Sequence, residues 1–159
     1  MFLNIINHLH SNIWQYEANL VILPHSFYQF INMTPEEAKR LKSDPDGLLS
    51  YEYIANHIED CDPADLNDVI ENLVTVDLNG QFTASAARYL NAIDAVRFAD
   101  AVARLAAATI DKDREHRYLP DLLTGVYGPD CHSRADELSK SDNNFRRIYK
   151  RLFPNPDSL

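Results

Sequence analysis

Apolar residues recur at helical spacing through most of the chain. Asp62-Pro63 has the residue types of an N-cap and a first helical position, and Leu66, Val69, Ile70 and Leu73 follow at i, i+3, i+4 and i+7. Asn79-Gly80 supplies a stop for that helix. A second strong pattern runs from Asp94 to about Ile110, with Phe98, Val102 and Leu105 on one face. Its many alanines have high helix propensity, and Asp100 stands four residues before Arg104, the favourable order for a surface pair.

Weaker signals extend the same picture. Thr34-Pro35-Glu36-Glu37 is a capping box that opens a helix to about Lys42, and Ser43-Asp44-Pro45-Asp46-Gly47 closes it as a turn. Leu49, Tyr53, Ile54 and Ile58 form a stripe in the next segment, and Ala87, Tyr89, Leu90 and Ile93 form another over residues 84–93. Ser133 and Asp142 are N-cap candidates for two last helices. The second of these carries Phe145, Ile148, Tyr149 and Leu152 and ends at Pro154.

One stretch reads two ways. Val74, Val76 and Leu78 alternate with Thr75 and Asp77 before Asn79-Gly80, as a strand entering a hairpin would. The returning arm, Gln81-Phe82-Thr83, is short, so the helix reading is preferred. No internal repeat, low-complexity tract or long linker stands out. The expectation is an all-α, compact multi-helix fold, a single domain over residues 1–159, with at most one minor β-hairpin near residues 74–83.

Composition narrows the function classes. The chain has 159 residues, enough for one core without disulfide or metal support. Its four glycines, Gly47, Gly80, Gly125 and Gly128, cannot assemble either common nucleotide-cradling loop. The longest aliphatic run, Leu20-Val21-Ile22-Leu23, is far below the roughly 20 residues that cross a bilayer. Asn and His interrupt the N-terminal apolar residues, and no Lys or Arg precedes them, a poor signal peptide. Two cysteines are no disulfide framework, so a reducing, cytoplasmic compartment is expected. The aromatic residues Phe2, Trp14, Tyr16, Phe27, Tyr28 and Phe30 are explained by core packing.

Charge is the unusual feature. The net charge is −9. Residues 43–87 contain ten acids (Asp44, Asp46, Glu52, Glu59, Asp60, Asp62, Asp65, Asp68, Glu71 and Asp77) and no Lys or Arg. The segments on either side are nearly neutral. Asp65, Asp68 and Glu71 recur at three-residue spacing, opposite Leu66, Val69 and Leu73. Acids near a helix N-terminus are favoured by the dipole, and a polar helix face is often only solvated. Ten uncompensated acids nevertheless repel one another, and a cationic partner relieves that repulsion. Tyr51 and Tyr53 lie just upstream, and tyrosine is enriched at interface hot spots.

The last helix carries the opposite sign in Arg146, Arg147, Lys150 and Arg151. Basic residues suit a helix C-terminus, and the acidic chain as a whole repels polyanions, which argues against nucleic acid as a partner. A match between this helix and the acidic block, within or between chains, is the alternative.

Candidate chemistry is sparse. His57 and Cys61 with Cys131-His132 contain four zinc-type ligands, but the spacing is not that of a structural zinc site. Asp111, Asp113 and Glu115 resemble the start of a calcium loop, yet His116 occupies the glycine position. Cys61 between Asp60 and Asp62 is a poor nucleophile, because both neighbours oppose the thiolate. No metal and no cofactor is expected.

The expected function is a cytoplasmic acidic protein-binding module for a basic partner, such as an inhibitor or immunity-type protein. Its candidate binding residues are Tyr51, Tyr53, Glu59, Asp60, Asp62, Asp65, Asp68 and Glu71. The alternative is a small metal-dependent hydrolase built on His57, Asp60 and Asp62.

Overall fold

The computed structural model describes residues 33–154, which all lie in one compact unit over residues 31–159. The expectations for the N-terminal aromatics, including Phe2 and Trp14, lie outside the described residues. Among the described residues there are eight α-helices and no strand. They are α1 (Pro35–Lys42), α2 (Leu48–His57), α3 (Pro63–Val76), α4 (Gln81–Asp94), α5 (Ala99–Lys112), α6 (Leu119–Tyr127), α7 (Ala135–Ser141) and α8 (Asn143–Leu152). The all-α expectation holds, and the hairpin alternative at 74–83 does not form.

The helices pack as two rows. α2, α4 and α6 are successive neighbours in one row, and α3, α5 and α8 in the other. α4 and α5 make the most extensive contact, and α1 closes the end beside α2 and α3. Val69, Ile70 and Leu73 of α3, Phe98, Val102 and Leu105 around α5, and Phe145, Ile148 and Tyr149 of α8 are all buried between the rows. The apolar stripes therefore did what their spacing required. Fully burying one such side chain is worth about 1.5–3 kcal/mol.

The loops that start the first-row helices are built alike. Asp44-Pro45-Asp46-Gly47-Leu48-Leu49-Ser50 and Asp77-Leu78-Asn79-Gly80-Gln81-Phe82-Thr83 share Asp, then Asp or Asn, then Gly, then a hydroxyl residue at matching positions. Asp44 Oδ1 accepts from the Gly47 amide at 2.9 Å, and its Oδ2 accepts from the Ser50 amide and hydroxyl at 2.8 and 2.7 Å. Asp77 accepts from the amides of Gly80 at 2.9 Å and Thr83 at 2.8 Å, and from the Thr83 hydroxyl at 3.0 Å. Asp113 repeats the scheme before α6, accepting from Arg117, Tyr118 and Leu119. Each buried carboxylate thus satisfies amides that the next helix leaves without partners.

The same loops need a left-handed residue three positions after the aspartate. Gly47 has φ 101°, Gly80 has φ 85°, and His116 occupies the third such position at φ 55°. A Cβ on Gly47 would sit 3.2 Å from Asp77 Cβ, and one on Gly80 would sit 3.4 Å from Asp113 Cβ. Successive loops therefore stack, each glycine backing onto the next aspartate. No repeat was apparent in the sequence because this one rests on a few loop residues rather than on the helices between them.

Some boundaries differ from expectation. Asp77 is the C-cap of α3, and Gly80 precedes α4 instead of terminating α3, so α4 begins earlier than residue 84. Asp94 does not open a helix. It ends α4, and its carboxylate accepts from the amides of Val96 at 3.1 Å and Arg97 at 2.9 Å to make a turn. Ser133 is not an N-cap: α7 starts at Ala135, and the Ser133 hydroxyl donates to the Asp130 carbonyl. The expected caps Thr34, Asp62 and Asp142 are all present.

Candidate functional site

The acidic block divides sharply once it is folded. Asp44 and Asp77 are interior caps and are not on the surface. Burial pushes the Asp44 carboxyl up, but the bonds from Ser50, Gly47 and Asp46 outweigh it and hold the group below the usual aspartate range. Asp46 accepts from the Leu48 amide at 3.1 Å, and Asp62 caps α3 by accepting from Ala64 at 2.7 Å. Asp65 accepts from the Met33 amide at 2.6 Å. Glu52 lies 3.7 Å from Arg40, and Glu71 pairs with Arg104 of α5.

Glu59, Asp60 and Asp68 remain. All three are exposed, and none has an ion pair or side-chain hydrogen bond among the described residues. Glu59 and Asp60 occupy the corner between α2 and α3, because α2 ends at His57 and Asp62-Pro63 starts the next helix. Asp68 lies one helical face further along α3, where an open groove of about 430 Å³ separates it from Lys42 of α1.

The two candidate tyrosines part company. Tyr51 is half-buried, with its ring 6.2 Å from that of Phe82. Tyr53 is in the core, stacked on the His57 ring at 4.5 Å. Burial and the nearby Cys61 push its phenol up to about 12, so it stays protonated. Tyr53 therefore leaves the candidate surface: its place on the inward stripe of α2, beside Ile54, decided this.

Arg104 was expected to pair with Asp100 along α5. It instead reaches across to Glu71 and to Asn67 Oδ1, which joins the two helices of the second row. The basic helix α8 does not meet the acidic block. Arg147 pairs with Asp111, and Arg151 donates to the Ile110 carbonyl, so these cations sit at the C-terminal end of α5 where the helix dipole favours them. Arg146 donates to Asn143 of its own helix at 2.5 Å.

No group of three or more His, Cys, Asp or Glu side chains that could hold a metal exists among the described residues. Cys61 and Cys131 are both buried. Burial, with Asp65 and Asp62 beside it, pushes the Cys61 thiol up to about 11. Burial raises the Cys131 thiol as well. Both therefore hold their protons at neutral pH. His132 packs against Tyr149 at 5.8 Å, well apart in role from His57 on Tyr53.

The sequence reading missed one feature at the same end of the molecule. Ile93 was expected on the core stripe of α4, yet it is 49% exposed, and Val96 in the following turn is 89% exposed. A signal was present: Asp94 followed by Ala95-Val96 allows its carboxylate to close a local turn. Periodicity favoured a continuing helix instead. A groove of about 190 Å³ runs between this turn and the α2–α3 corner, bounded by Pro63 and Leu66 on one side and by Arg97, Phe98 and Ala101 on the other.

No protein-family model matches the chain, and comparisons with curated proteins and with solved structures also give no match.

Proposed function

We propose that this helical domain is a binding module that receives a basic protein on the acidic edge formed by the α2–α3 corner and α3. A single observation carries the reading. Most acids of the block have a structural duty, but Glu59, Asp60 and Asp68 are exposed and make neither a cap nor an ion pair among the described residues. Charges of one sign gathered on one edge steer an oppositely charged partner and discriminate against partners of like charge. An inhibitor or immunity-type protein that covers a cationic site is one form such a module takes. No observation favours the metal-dependent hydrolase, since His57 stacks on Tyr53 and Asp62 serves as a helix cap.

The test compares the wild-type domain with an E59Q/D60N/D68N variant. Each is immobilised and exposed to a native lysate, and the captured proteins are titrated in purified form across a salt series. A basic protein that binds the wild type, weakens steeply with salt and loses most of that dependence with the variant supports the reading. The same proteins captured with the same salt dependence by both would show that the edge is merely solvated.

A further inference from the structure

The acidic edge does not stand alone at its end of the molecule. The α2–α3 and α4–α5 connections emerge side by side, because α2 neighbours α4 and α3 neighbours α5. The first connection presents Glu59 and Asp60, and the last turn of α4 with the second connection presents exposed Ile93, Ala95 and Val96. Isolated exposed aliphatic residues need no explanation, but Ile93 and Val96 lie three residues apart and directly precede Arg97 and Phe98, which line a groove.

This apolar turn is also held firmly. Asp94 fixes its backbone through the amides of Val96 and Arg97. Phe98, 4% exposed, anchors the turn in the core, with the Arg97 guanidinium 4.7 Å above its ring. The Val96 backbone is thus tied into a fixed turn while its side chain is displayed to solvent. A preorganised apolar surface loses little ordering entropy when a partner covers it.

We propose that Ile93, Val96 and the groove beside them dock a basic amphipathic helix of the partner protein, its apolar side on the aliphatic turn and its cations toward Glu59 and Asp60. The inference rests on the basic-partner reading above and adds the shape of the docking segment. Charge complementarity selects the sign: Asp100 and Arg97 are the charged residues lining the groove among the described residues, and the exposed acids Glu59 and Asp60 directly precede Cys61 at its α2–α3 wall, so the balance there is acidic. The fold selects the conformation. No strand edge among the described residues offers main-chain pairing, so a segment that leaves water here must satisfy its own amides, as a helix does.

The experiment uses a synthetic peptide of leucine and lysine patterned as an amphipathic helix, and an isomer of identical composition with scrambled order. Fluorescence anisotropy gives the affinity of the full-length chain for each across a salt series. Wild type should prefer the patterned peptide by about tenfold, which corresponds to about 1.4 kcal/mol. I93S/V96S should abolish that preference and leave the salt slope unchanged. E59Q/D60N should weaken both peptides and flatten the slope. Melting curves and circular dichroism establish that each variant is folded, and the substituted side chains are solvent-facing. Equal binding of the two peptides by wild type, or a preference that survives I93S/V96S, overturns this inference while leaving the basic-partner reading intact. An E59Q/D60N variant indistinguishable from wild type overturns the basic-partner reading itself.

Discussion

The two ends of the helical rows use the same residue type in opposite ways. At one end Asp44, Asp77 and Asp113 are buried, and each carboxylate is surrounded by amide and hydroxyl donors of the loop it closes. At the other end Glu59 and Asp60 stand in water beside exposed Val96 and Ile93. A buried carboxylate is tolerable only when its desolvation is offset by hydrogen bonds, so the first end is fixed by folding. The second end meets no such requirement, and its composition is free to serve association. The contrast shows why a count of acids misjudges a site: of the ten acids in residues 43–87, Asp44 and Asp77 are internal and Asp46, Glu52, Asp62, Asp65 and Glu71 are engaged in caps, hydrogen bonds or ion pairs.

The contrast is broken most severely by removing a buried cap. Asp77→Ala leaves the amides of Asn79, Gly80, Phe82 and Thr83 and the Thr83 hydroxyl without their acceptor. Thr83 also accepts from the Thr109 hydroxyl of α5 at 2.9 Å, so the damage spreads to the second row. The expected loss is on the order of 3–5 kcal/mol, read as a shift of the urea midpoint.

A smaller effect tests whether the stacked loops are equivalent. Gly80→Ala forces a Cβ onto a left-handed residue and should cost about 1–2 kcal/mol. His116→Gly at the corresponding position of the third loop should change stability by less than about 1 kcal/mol, because relief at φ 55° is opposed by the added freedom of glycine in the unfolded chain. Equal and large losses in both would mean that the third loop is not a copy of the other two.

Acid titration separates the ends by pH. The Asp44 carboxyl is held below its unfolded range, so its contribution is complete above the ordinary aspartate pKa and is lost as pH falls through the lower, folded value. Stability measured by denaturation should therefore decline on acidification, and Asp44→Asn, though less stable at neutral pH, should decline less. An identical pH slope in Asp44→Asn would remove Asp44 from the explanation.

The smallest effect belongs to the exposed end. E59Q/D60N/D68N should keep stability within about 0.5 kcal/mol of wild type, with a slight gain if self-repulsion dominates. A large loss in its melting curve would show that these acids are structural after all and would erase the difference between the two ends.

How much of this could be read in the sequence depends on the range of the interactions. The helix stripes, the caps at Thr34, Asp62 and Asp142 and the all-α class follow from periodicity and from bonds that span two or three residues, so the chain displays them directly. The candidate surface was legible only as a list of charges. Asp65 and Glu71 share their helical spacing with Asp68, yet Met33 and Arg104 engage the first two and not the third. Tyr51 and Tyr53, two residues apart, differ in burial because α2 turns Tyr53 toward His57 and the core.

The sequence by itself determined the helices, most of their ends and the sign of the charge that they carry, because these rest on local geometry and composition. Only the tertiary structure decided which acids are interior, which are paired and which have no partner among the described residues, and that Ile93 and Val96 share an end with Glu59 and Asp60. Those outcomes depend on contacts between residues distant along the chain, such as Arg104 with Glu71, and on how successive loops stack, neither of which a hydrophobic period encodes.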